Sequence, residues 1–163
     1  MSIYLTNTRP YIFFAMITLN QFLTDLRHVH LIAAKHILRY LKGTVDYGLK
    51  YEATQKINLE GYVDSYWIGS AIDRKSTSGC CFSMGSGVIS WFSRNQSCVA
   101  LSTTKAEYVV ACSASCEVVW VRKLLSNLFD LHLDATCIYC DNQSCVKLSK
   151  HIEIKYHYIR DMV

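Results

Sequence analysis

The stretch from Thr104 to about Leu128 constrains the fold most, because its apolar residues recur at the spacing of one helix face. Thr104-x-x-Glu107 is a capping-box pattern and predicts that the helix begins there. The residues on the predicted buried face are Val110, Ala114, Val118, Val121, Leu125 and Leu128. A long helix with one apolar face needs a second layer to pack against.

The segments around this helix alternate with a period that is typical of strands. Gly85-Ser86-Gly87 separates two of them and predicts a tight hairpin. The predicted strands are Leu59–Asp64, Gly79–Met84, Val88–Phe92 and a short buried strand at Thr136–Cys140. Asn142–Lys150 is predicted as a short helix, and we also expect a helix over Ile152–Ile159. A hairpin, a helix and a further strand predict an α/β fold with a mixed sheet flanked by helices.

The first part of the chain has a helical pattern instead. Pro10 suits a first helical turn, Tyr11–Phe22 is an apolar helix candidate, and a second helix over His28–Lys42 ends at a Lys42-Gly43 stop signal. We therefore expect two domains, a helical one at residues 1–45 and the α/β one at residues 46–163.

The charge and the cysteine content limit which classes of protein the chain can belong to. The net charge of +4 comes from residues 1–58, which hold seven Lys or Arg against three Asp or Glu. This excess suits contact with phosphates, but a solvated surface explains it equally. The Cys137 and Cys140 side chains point to opposite strand faces, and Cys112 and Cys116 have no second pair to complete a zinc site. We expect buried, reduced thiols and a reducing compartment.

No segment suggests a membrane span or secretion. Tyr11–Leu19 is apolar but too short to cross a bilayer, and no small-residue cleavage site follows it.

Three carboxylates are the strongest candidates for chemistry. Asp64 and Asp141 each end a predicted strand, and Glu107 lies near the start of the long helix. Acids at strand ends and on a helix can converge, and such oxygen ligands suit Mg²⁺. Each acid also has an ordinary alternative: Glu107 as part of the capping box, Asp141 as a helix cap and Asp64 as a turn residue.

Polar and basic residues beside these acids are candidates for phosphate contact. Arg74 and Lys75 precede the Ser76-Thr77-Ser78-Gly79 turn, which either holds a phosphate or is simply polar. Arg94 and Gln96 follow Trp91, which either lines a nucleic-acid groove or belongs to the core.

Several blocks of the sequence carry a family resemblance. They are Tyr4–Pro10, Ala33–Thr44, Gly61–Ser65, Asp73–Gly79, Val88–Trp91, Ala100–Tyr108 and Ile138–Ser144. In this order they resemble the ribonuclease H region of copia-type retrotransposon Pol polyproteins, with residues 1–45 resembling the end of the preceding reverse transcriptase. The resemblance covers nearly the whole chain.

The resemblance implies an enzyme that cuts the RNA strand of RNA–DNA hybrids with two Mg²⁺ or Mn²⁺ ions. It implies Asp64, Glu107 and Asp141 as catalytic metal ligands. It implies nucleic-acid contacts at Arg74, Lys75, Ser76, Thr77, Arg94, Gln96 and Asn142. It further implies a reverse transcriptase partner and a cytoplasmic, intracellular setting within a virus-like particle.

Departures from the family pattern motivate a second function. Tyr66 stands where the family usually has Asp, and a short basic stretch between Lys150 and His151 has no counterpart here. The family's last strand and last helix, which carries a fourth carboxylate, also find no match. We therefore expect a ribonuclease H-like fold that is truncated before these elements, with activity reduced or absent. The alternative is a non-catalytic relic that binds nucleic acid, or a co-opted, effector-like interaction protein.

Overall fold

The fold is described from a computed structural model, which places residues 3–53, 57–69 and 74–151. The chain divides between Leu49 and Lys50 into two compact units. The predicted helix over Ile152–Ile159 lies outside the described residues.

The first unit is helical, as the sequence predicts. It consists of α1 (Ile3–Thr8), α2 (Pro10–Asn20) and α3 (His28–Gly43). Pro10 lies at the start of α2, where its missing N–H is not needed. Three buried side chains, Ile12, Met16 and Ile37, form a small core between α2 and α3.

The second unit is a mixed sheet with helices. Its elements are β1 (Leu59–Tyr66), β2 (Thr77–Met84), β3 (Gly87–Asn95), α4 (Thr103–Phe129), β4 (Cys137–Cys140) and α5 (Gln143–His151). The strand order is β3-β2-β1-β4, with β1 antiparallel to β2, β2 antiparallel to β3, and β1 parallel to β4. Gly85, in the β2–β3 turn, has a φ of 61°, which glycine adopts without strain. The predicted α/β class is confirmed, and the architecture is consistent with a ribonuclease H-like fold.

The core of this unit lies between α4 and the sheet. Phe82 of β2 and Val110 and Val118 of α4 are fully buried there. The predicted apolar face of α4 is confirmed through Leu125, but Leu128 is 64% exposed. The helix ends one residue later, and Leu131 and Leu133 of the following segment pack on the core.

Two local predictions are wrong. The helix is capped by Ser102, whose Oγ accepts a hydrogen bond from the Lys105 amide, so the predicted capping box at Thr104 does not form. The predicted buried strand before Asp141 has exposed side chains at Cys137 and Tyr139. The apolar composition of β4 predicted burial, but among the residues that the structure describes β4 pairs with β1 alone and lies at the edge of the sheet.

All eight cysteines are free thiols, as expected. The expectation that they are buried holds for Cys80 and Cys145, whereas Cys98, Cys116 and Cys137 are exposed. Within the described residues, every helix is too short or too polar to cross a bilayer.

Candidate metal centre

The parallel pairing of β1 and β4 brings two of the predicted acids to one edge of the sheet. Val63 pairs with Cys140, and Asp64 and Asp141 are the residues that follow them. Both acids therefore lie near the carboxyl ends of two neighbouring parallel strands, Asp64 two residues before the end of β1 and Asp141 directly after β4. This is the edge at which open α/β sheets usually bind ligands.

Glu107 reaches the same edge from α4. It is only 5% exposed, and its Oε1 accepts two hydrogen bonds from Ser65, one from the backbone N–H (2.9 Å) and one from Oγ (2.7 Å). Because Ser102 provides the cap, the alternative that Glu107 serves in a capping box is wrong. Its carboxylate instead joins the second turn of α4 to the end of β1.

Glu107, Cys140 and Asp141 form one group of potential metal ligands. One ligand atom from each lies within 4.8 Å of the others. The Cys140 Sγ is 3.7 Å from the Glu107 Oε2. Glu107 is buried, Cys140 is half-buried and Asp141 is exposed, so the group opens to solvent on the Asp141 side. Cys140 was not among the predicted metal ligands, although its position beside Asp141 was a signal.

Asp64 is not part of this group, although it lies at the same edge. Val63 before it is buried and Ser65 after it faces Glu107, so strand alternation directs the exposed Asp64 side chain to the other face. Tyr62 shares that face, where its ring stacks on Tyr139 at 5.1 Å. The convergence of all three acids on one ion stays a prediction.

The electrostatics of the group favour a bound cation. Burial raises the pKa of Glu107, the two hydrogen bonds from Ser65 oppose this rise, and the charges of Asp64 and Asp141 add to it. Burial likewise raises the pKa of the Cys140 thiol to about 12. A divalent cation would offset the repulsion among the carboxylates, so these residues fit a metal ion. The donor set nevertheless contains sulfur, unlike the oxygen-only set expected from the sequence.

Two of the predicted nucleic-acid contacts lie inside the fold. Ser76 is completely buried, and its Oγ accepts a hydrogen bond from the Ile68 amide at 3.4 Å. Gln96 is 4% exposed, and its Nε2 donates to the Ser78 Oγ (3.0 Å) and the Ala106 carbonyl (2.9 Å). The Gln96 side chain thereby joins β2 to the first turns of α4.

The other predicted contacts are partly or fully accessible. Arg74 and Arg94 are exposed, with the Arg94 guanidinium 4.5 Å from the centre of the Phe92 ring, and Lys75 is half-buried. The Thr77 Oγ1 donates to the Asn95 Oδ1 at 3.1 Å. The Asn142 Oδ1 accepts from the Cys145 amide at 2.9 Å and so caps α5, the role that was the ordinary alternative for Asp141.

A mixed sheet packed on one long helix, with acids where two parallel strands end, defines an α/β domain of the ribonuclease H-like kind. Comparison with known proteins gives the relatives of the chain. The chain is 41% identical over 165 residues to the retrovirus-related Pol polyprotein from transposon TNT 1-94 of Nicotiana tabacum. It is 38% identical over 169 residues to that from transposon RE1 of Arabidopsis thaliana. The chain is homologous to a segment of the retrovirus-related Pol polyproteins of copia-type retrotransposons.

The matches cover 96% and 98% of this chain but only 12% of each polyprotein. A shorter relative is the secreted RxLR effector protein 161 of Plasmopara viticola, which is 41% identical over 114 residues. That alignment covers 70% of this chain and 80% of the effector. No family model matches the chain.

Proposed function

We propose that the second unit is a retrotransposon-derived ribonuclease H domain that cleaves the RNA strand of RNA–DNA hybrids. The observation that carries this proposal is the buried carboxylate of Glu107 beside Asp141, at the edge where β1 and β4 end. Asp64 lies on β1 two residues before the strand ends, and on this proposal its exposed side chain would turn toward Glu107 to become the third metal ligand. On this proposal, residues 1–45 derive from the end of the reverse transcriptase, whose remaining portion is a partner in the cytoplasm.

On this proposal, some residues of the site bind the metal ions and others orient the ligands. Bound Mg²⁺ or Mn²⁺ would activate water and stabilise the departing 3′ oxygen. Glu107 and Asp141 would hold the ions, and the two hydrogen bonds from Ser65 keep the Glu107 carboxylate oriented before an ion arrives. This orientation is useful because a metal site works best when its ligands are already in position.

Hybrid binding would depend on backbone contacts. Arg74 and Arg94 are the exposed cations among the proposed contacts; Arg74 precedes β2, and Arg94 lies near the end of β3. Contacts with phosphates and 2′-hydroxyls carry little sequence information, so binding should tolerate any sequence and weaken as salt increases.

The test is cleavage of an end-labelled RNA–DNA hybrid in Mg²⁺ or Mn²⁺. The wild type should cut the RNA strand, at a rate below that of a complete domain, and Asp64→Asn and Glu107→Gln should each remove that activity. Asp134→Asn, which changes an exposed acid outside the metal-ligand group, is the matched control and should cut like the wild type. Equal cleavage by the wild type and Asp64→Asn would contradict the enzymatic proposal.

A second candidate is a non-catalytic protein that binds nucleic acid or another protein. It is favoured by the similarity to an effector of which this chain covers 80%, and by Tyr66 in place of the family's usual Asp. Hybrid binding that persists in the wild type and in Asp64→Asn, without cutting by either, would support it. Magnesium-dependent cutting would exclude it.

A further inference from the structure

The group at the sheet edge contains a thiol as well as carboxylates. Its ligand atoms come from two parts of the chain that only the fold brings together: Glu107 on α4, and the adjacent Cys140 and Asp141 at the end of β4. The pairwise separations of up to 4.8 Å are within the range that ligands of one ion can span after small adjustments.

Glu107 provides an independent sign that a cation belongs here. Its side chain is 95% buried, and Oε1 is satisfied by Ser65. Oε2 accepts from the Cys140 thiol at 3.7 Å, and a thiol is a weak donor. None of the ion pairs among the described residues includes Glu107. Buried charges in proteins are normally paired or coordinate a metal, so Oε2 faces a position that suits a positive ion.

The identity of the donor atoms selects the class of ion. Mg²⁺ takes oxygen ligands and releases its waters reluctantly, so a sulfur atom does not help to hold it. Thiolate favours Zn²⁺ and softer ions, and a mixed set of Cys and carboxylate ligands is compatible with a tetrahedral zinc site that keeps an open position.

We infer that Glu107, Cys140 and Asp141 form a mixed sulfur–oxygen site that captures Zn²⁺, or Co²⁺ and Cd²⁺ as its chemical relatives. When the ion binds, a sulfur–metal bond forms, and the thiol proton passes to solvent. The inference rests on the proposed function in that both use Glu107 and Asp141. Zn²⁺ therefore competes with Mg²⁺ for two ligands and inhibits hybrid cleavage.

The test is a Co²⁺ titration of the metal-free protein, followed by absorption in the near ultraviolet, where thiolate-to-cobalt charge transfer appears. The wild type should show a band that saturates and that Zn²⁺ removes. Cys140→Ser should lack the band and bind Zn²⁺ at least about tenfold more weakly, since even the loss of an outer-shell partner costs a metal site that much. Cys137→Ser is the matched control, because this exposed thiol lies on the other face of β4, and it should keep the band.

A second measurement uses the wild type alone, so it does not depend on a variant that folds. Zn²⁺ should protect Cys140 from alkylation by iodoacetamide, as located by peptide mass spectrometry, and should leave Cys137 reactive. Equal alkylation of Cys140 with and without Zn²⁺, or a cobalt band that survives Cys140→Ser, would overturn the inference.

The outcomes also separate this inference from the proposed function. A cobalt band that requires Cys140, together with no cleavage of the hybrid in Mg²⁺, would support the zinc site and contradict the nuclease. Magnesium-dependent cleavage that Zn²⁺ does not inhibit, with no cobalt band, would support the nuclease and overturn the zinc site.

Discussion

Ser65 donates two hydrogen bonds to the same carboxylate oxygen of Glu107, from its backbone N–H at 2.9 Å and from its hydroxyl at 2.7 Å. These bonds join the end of β1 to the second turn of α4. They stabilise the ionised form of an acid whose burial favours the neutral form. The Glu107 carboxylate at the centre of the candidate site therefore also links the sheet to α4.

The Ser65 hydroxyl should contribute to both stability and site geometry. Ser65→Ala removes one of the two bonds to Glu107 and should lower the free energy of unfolding by about 1 to 2 kcal/mol, because the acceptor is buried. Chemical denaturation measures this change. Ser113→Ala is the control, since the Ser113 Oγ bonds to the Val109 carbonyl of its own helix. An equal loss in the two variants would contradict a special role for Ser65.

Glu107→Gln should stabilise the metal-free protein. The pKa of Glu107 is raised in the folded state, so the unfolded chain releases this proton at a lower pH than the folded protein does. The free energy of unfolding of the wild type therefore falls as pH rises through this range. Removing the charge should therefore raise the free energy of unfolding at pH 7, by on the order of 1 kcal/mol for each unit by which the pKa is raised.

The gain should disappear below the ordinary pKa of 4.5, where the carboxyl group is neutral in both states. Urea denaturation at pH 7 and pH 4 measures both values. Glu117→Gln, at an acid on the same helix that accepts a bond from the Ser90 hydroxyl, is the control. A Glu107→Gln protein that is less stable than the wild type at pH 7 would contradict the argument.

The start of α4 can be tested directly. Ser102→Ala removes the hydroxyl that accepts from the Lys105 amide, and should cost about 0.5 to 2 kcal/mol of stability. Thr104→Ala lies inside the helix and should cost much less. If the capping box at Thr104 existed, the order would be reversed. Thermal or chemical denaturation of the two variants decides between them.

Stability should fall at alkaline pH because of buried thiols. Burial raises the pKa of Cys80 from 9.0 to about 12. Between these values the unfolded state loses the proton while the folded state keeps it, so stability decreases as pH rises. The contribution of Cys80 approaches about 1.4 kcal/mol for each pH unit.

Cys80→Ala should flatten this alkaline decline, although it costs some stability at pH 7 because it leaves a small cavity in the core. The measurement is the free energy of unfolding at pH 8, 9 and 10. Cys98→Ala, at an exposed thiol, should leave the slope unchanged. Parallel slopes for the wild type and Cys80→Ala would contradict the prediction.

Much of the fold followed from local patterns. The apolar spacing through Leu125 predicted α4, and the glycines around Ser86 predicted the β2–β3 hairpin, because helices, strands and tight turns place their requirements on neighbouring residues. The ends of elements were predicted less well. Ser102 and Thr104 both suit a helix cap, and the choice between them depends on where the chain leaves the sheet.

The positions of Asp64, Glu107 and Asp141 near one sheet edge could be predicted by sequence alone, since two acids end predicted strands and one lies near a helix start. The tertiary structure decided what each side chain contacts. It placed Cys140 beside Glu107, gave Glu107 its bonds from Ser65 and buried Gln96. These contacts join residues distant in the chain, and they depend on the strand register and on how α4 packs across β1, which no local pattern specifies.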